Sequence, residues 1–70
     1  MKNNKNIDNE NIVLYNVGDI QRIFNIGKTK AYQLVNSNGF PTIRINKKIY
    51  IPKLELEKWI SRNVGKTFNY

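Results

Sequence analysis

The chain has no cysteine and no histidine. Their absence excludes a disulfide framework and any thiolate or imidazole metal site. It also removes the commonest general base and the commonest soft nucleophile. Carboxylates are scarce, five Asp and Glu against twelve Lys and Arg, and the sequence pattern brings no two of them together in a pocket. We therefore expect no enzyme activity, no catalytic residue, no metal, no cofactor and no small-molecule ligand. Long hydrophobic runs are missing too. No apolar segment approaches the ~18 residues of a membrane span, and the N-terminal stretch MKNNKNIDNENI has no hydrophobic signal core. The expected location is cytoplasmic, with no membrane partner.

What is present is a strongly basic chain of 70 residues, with formal net charge +7 and 40% hydrophobic residues. That length allows one domain with a small core. A basic excess this large in a small domain points to polyanions, most often nucleic acid. Residues 1–11 are polar, rich in Asn and Lys, and without periodicity, which predicts a disordered N-terminal arm. Residues 12–63 hold the domain, and 64–70 read as a flexible C-terminal tail.

Within the domain, Ile12 to Tyr15 can form a short strand. A first helix is expected over Val17–Phe24, with Asn16 as N-cap and Asp19 three residues later, where a carboxylate favours the helix start. Val17, Ile20, Ile23 and Phe24 are taken as its apolar face. In the turn Asn25-Ile26-Gly27, Asn tolerates the left-handed conformation that ends a helix, Ile26 plugs the angle, and Gly27 is an acceptable N-cap. A second helix follows over Lys28–Asn36, with Ala31, Leu34 and Val35 inward, ended by Asn38-Gly39. Thr42–Ile45 and Ile49–Ile51 are β-rich runs flanking the basic tip Asn46-Lys47-Lys48. Pro52 then opens a third helix to Arg62, with Leu56, Trp59 and Ile60 inward and Trp59 at the centre of the core.

The order helix, turn, helix, basic hairpin, helix is that of a small winged helix-turn-helix. This is an α+β fold with two helices, then a two-stranded β-hairpin wing and a third helix. Such a fold reads double-stranded DNA with side chains that reach base edges from a helix in the major groove. The outward residues of the second helix are Lys28, Thr29, Lys30 and Gln33. Gln33 suits the N6/N7 edge of adenine. Lys28 or Lys30 suits guanine O6/N7 or a phosphate. Thr29 can offer its methyl to thymine or its hydroxyl to the backbone. Tyr32 either hydrogen-bonds a phosphate or packs beside the first helix. Arg44, Asn46, Lys47 and Lys48 of the wing are candidates for phosphates or a neighbouring minor groove, where a narrow A·T-rich groove attracts cations. Arg22 and the backbone of Gly27 are further candidates for the DNA backbone, whereas Lys53 and Lys58 read as plain surface charges.

Several stretches together resemble the excisionase-type, MerR-like helix-turn-helix family. They are Tyr15-Asn16-Val17, Ile26-Gly27-Lys28-Thr29-Lys30-Ala31-Tyr32, Gly39-Phe40-Pro41, Arg44-Ile45, Tyr50-Ile51-Pro52-Lys53 and Leu56-Glu57-Lys58-Trp59-Ile60. The resemblance spans about Leu14 to Arg62. Two positions depart from the pattern: Asn25 where Gly is frequent, and Gly27 where Ser is frequent, which removes a side-chain cap and any hydroxyl contact. The resemblance implies an accessory protein of a mobile element. Such a protein binds repeated sites near an attachment site beside neighbouring copies of itself, bends the DNA and assists a tyrosine-type integrase. MerR-like regulators add sensing or dimerising parts that 70 residues leave no room for. The alternatives are a small transcriptional regulator on a promoter and a protein-interaction module anchored by Trp59, Phe68 and Tyr70.

Overall fold

The computed structural model describes residues 12–69, so the expected arm over residues 1–11 and the terminal Tyr70 lie outside it. In chain order the elements are β1 (Leu14–Tyr15), α1 (Val17–Phe24), α2 (Lys28–Val35), β2 (Ile43–Ile45), β3 (Lys48–Pro52) and α3 (Lys53–Arg62). The strands form one antiparallel sheet in the order β1-β3-β2. The wing thus gains a third strand: Leu14 pairs with Pro52 and Tyr15 with Ile51. The Lys53 N–H extends this pairing to the Val13 carbonyl at 2.9 Å. Pro52 ends β3 and serves as N-cap of α3, where its missing N–H costs nothing.

Helix α1 starts at a reciprocal cap. The Asp19 N–H donates to Asn16 Oδ1 at 2.8 Å, and the Asn16 N–H donates to Asp19 Oδ2 at 2.9 Å. This capping box satisfies two of the amides that a helix start leaves unpaired. Asn25 ends α1 with φ 55 and ψ 52, a left-handed cap that Asn adopts more readily than most residues. Gly27 then caps α2 without a side-chain bond. Helix α2 stops one residue earlier than expected, because Asn36 is its C-cap. The reversal after it passes through Gly39 at φ 87, a conformation glycine takes without strain.

The core comprises Ile20, Ala31, Leu34, Val35, Phe40, Ile51, Leu56 and Trp59, with Tyr15, Val17, Phe24, Ile26 and Ile49 packed against it. Trp59 meets Phe40 edge-on at 4.9 Å between ring centroids and Phe24 at 6.3 Å. Two expected core residues lie further out. Ile23 is 44% exposed. At 3.6 residues per turn, a step of six residues swings it roughly 120° away from Val17, to the flank of the buried stripe. Ile60 is 37% exposed because it sits beside the Leu56–Trp59 face rather than between the two residues. In the segment expected as a tail, Phe68 lies over Trp59 with ring centroids 5.5 Å apart.

The Asp19 carboxyl is held below its ordinary value of 3.8, chiefly by the Asn16 backbone hydrogen bond and then by Arg22, which outweigh partial desolvation. A lowered native pKa stabilises the fold above the unfolded-state value and loses that contribution as pH falls through the native one. Thermal stability is therefore expected to drop as pH falls below about 4, and Asp19→Asn should melt lower at pH 7 while showing a shallower acid decline. Melts at several pH values check this. Parallel acid declines in the two proteins would remove Asp19 from the account.

Candidate nucleic-acid interface

Helix α2 buries Ala31, Leu34 and Val35, which leaves Lys28, Thr29, Lys30, Tyr32 and Gln33 exposed. At 100° per residue, Thr29 lies in the middle of this outward arc with Gln33 beside it. Lys28 and Tyr32 lie on one flank and Lys30 on the other. The structure separates the flanks clearly. Lys30 borders an apolar groove walled by Phe24, Ile26, Trp59, Ile60 and Phe68. Tyr32 borders a cleft shared with Asn16, Gly18, Lys47, Lys48 and Tyr50.

The hairpin joining β2 to β3 is tighter than expected. Ile45 pairs with Lys48, so the tip is the two residues Asn46 and Lys47, and Lys48 belongs to the strand. Two-residue hairpin turns need positive φ at their first central position, and Asn46 supplies it at φ 56. The register also fixes which side chains share a face. Lys48 and Tyr50 project with Ile45 and Ile43 to the outer face, while Ile49 and Ile51 turn toward the core and Arg44 goes with Ile49.

These placements bring three separate segments together. The start of α1, Tyr32 of α2, and Lys47, Lys48 and Tyr50 of the wing enclose one cleft of about 450 Å³. Spacing within any single element gives no sign of it. The electrostatics are one-sided. From Ile20 to Leu54 the chain has no carboxylate, whereas Arg22, Lys28, Lys30, Arg44, Lys47, Lys48 and Lys53 all fall in that stretch. The ion pairs found among the described residues are Arg22–Asp19 and Lys58–Glu55. The lysines of α2 and the wing thus keep their charge for a partner, while Arg22 already has a carboxylate beside it. Arg44 is also engaged: its guanidinium donates to Asn36 Oδ1. Beyond Gly27 itself and its two chain neighbours, nothing lies within 4 Å of where a Cβ on this exposed residue would stand. A Ser there would meet no obstacle.

Two helices at a tight turn, followed by a basic hairpin and a helix that closes the core, define a winged helix-turn-helix. The chain belongs to the Helix-turn-helix domain family, whose model matches residues 14–64. It is a DNA-binding helix-turn-helix protein, with DNA as its partner. Neither a curated protein nor a solved structure gives a match. Among the described residues, no helix is long and apolar enough to cross a membrane.

Proposed function

We propose that this protein is an excisionase, a directionality factor of a mobile element that binds and bends DNA near an attachment site and assists an integrase. The observation that carries its DNA half is the cleft in which Tyr32 of the exposed α2 face meets the wing lysines Lys47 and Lys48, within a stretch of chain that has no carboxylate from Ile20 to Leu54. The excisionase half rests on the ordered set of motifs between Tyr15 and Ile60.

In this reading α2 enters the major groove. Thr29 and Gln33, central on its outward arc, meet base edges. Lys28 and Lys30 flank them on guanine or phosphate. Tyr32 and the wing lysines Lys47 and Lys48 hold the DNA backbone that lies across the cleft. No residue here performs recombination chemistry, which belongs to the partner enzyme. A single module of this size binds modestly, so neighbouring copies on repeated sites supply affinity and bend together.

Affinity selection of source-genome fragments by the purified protein, at near-physiological salt, tests the reading. Repeated sites beside an integrase gene support it. A lone promoter site makes the protein a transcriptional regulator using the same contacts, and no enrichment overturns sequence-specific binding. On a selected site, Gln33→Ala is expected to relax preference at one base position, at a cost of about 1–3 kcal/mol. Equal weakening at every position would show that Gln33 reads no base.

A further inference from the structure

We infer that Arg44 is a positioning residue: it fixes the wing to the last turn of the recognition helix and does not itself contact DNA. The proposal rests on the DNA-binding reading for its consequence, but the tie can be tested without DNA.

The outer strand β2 has little anchorage of its own. All three of its residues are exposed. It lies at the sheet edge and is held by pairing with β3. Ile43 and Ile45 project to the outer face, so neither joins the core. Arg44 projects the other way, on the side of Ile49, which packs on the core. There its Nη2 donates to Oδ1 of Asn36. Asn36 is the C-cap of α2, and its own backbone N–H is held by the Tyr32 carbonyl at 3.0 Å. The acceptor is therefore fixed to the same helix that presents Lys28, Thr29 and Gln33. The bond bridges eight residues and spans the reversal through Gly39. A guanidinium suits this role, because its planar fork is pre-organised and permanently charged.

The consequence is geometric. A winged helix-turn-helix touches DNA at two places at once, and the separation and angle between them decide whether both contacts form. In this fold Arg44 and Asn36 set that relation from the side opposite Lys48 and Tyr50.

The test uses the full chain as wild type, Arg44→Met, Asn36→Ala and the double variant. In the free protein, backbone ¹⁵N relaxation is measured at residues 43–48. Both single variants are expected to loosen the hairpin to the same extent, and the double variant no further, since the two residues act through one bond. Hairpin order unchanged in either single variant overturns the tie.

Binding to a random-sequence duplex is then measured across a salt series. Both single variants are expected to weaken binding equally, by roughly fivefold at most, with the wild-type salt slope retained. A fall of about 0.9 in the slope for Arg44→Met alone, with Asn36→Ala silent, would show that Arg44 holds a phosphate and would overturn the proposal. If the wild type itself leaves the duplex free, the DNA-binding reading fails, and the relaxation data still judge the tie.

Discussion

Trp59→Ala is expected to unfold the domain. Trp59 is only 8% exposed and is the ring against which Phe24, Phe40 and Phe68 all pack. Truncating a buried aromatic costs about 3–5 kcal/mol through the transfer energy forfeited and the cavity left behind. A domain of this size has roughly 3–9 kcal/mol in total, so the loss takes from about a third to all of it. The cavity would also open onto the apolar groove bounded by Ile60 and Phe68, and the aromatic cluster would lose its centre. Far-UV circular dichroism during a thermal melt provides the check. Trp59→Phe, which keeps a ring in place, should retain a cooperative transition at a lower midpoint. A cooperative melt for Trp59→Ala near the wild-type midpoint would place the core elsewhere.

The second large effect is expected from the wing. Replacing Lys47 and Lys48 together by Gln should weaken binding to every duplex, whatever its sequence. Both ammonium groups are exposed and neither belongs to an ion pair found among the described residues. Their charge is therefore available to phosphates at no internal cost. A hydrogen bond to a charged group is worth about 1.5 kcal/mol or more, so removing each ammonium–phosphate bond should weaken affinity roughly tenfold. The salt dependence of the binding constant should flatten by about 1.8, since each neutralised phosphate contributes about 0.9. Lys58→Gln is the control, because Lys58 already lies 3.4 Å from Glu55 on α3, and its slope should match wild type. An unchanged slope in the double wing variant would remove the wing from the interface.

Local chemistry made some parts of this fold readable from the sequence. The limits of α1 follow from Asn16 and Asp19 at one end and Asn25 at the other, each a residue whose side chain or backbone habit stops a helix. The exposed face of α2 follows from the helical period once Ala31, Leu34 and Val35 are taken inward. The hairpin was legible as a hairpin, but its tip was not. Asn46-Lys47-Lys48 is uniformly polar, and only cross-strand pairing decides that Lys48 continues the strand opposite Ile45. Leu14–Tyr15 is too short to show a strand period, so its pairing with β3 becomes visible only in three dimensions. The same holds for the cleft joining Tyr32 to the wing lysines and for the bond from Arg44 to Asn36. Each depends on separate elements, whose meeting is set by packing rather than by neighbouring residues.

The two-residue tip of the wing has a thermodynamic consequence. Because Ile45 and Lys48 are already paired around it, the backbone of Asn46 and Lys47 holds its shape before any partner arrives. A longer loop would lose about 1–2 kcal/mol per residue in freezing its backbone on association. Here the ordering cost falls on the lysine side chains alone, about 0.5–1.5 kcal/mol for each one immobilised. The tip of the wing therefore meets its partner with its backbone already ordered, and the entropic offset to its charges is confined to the lysine side chains.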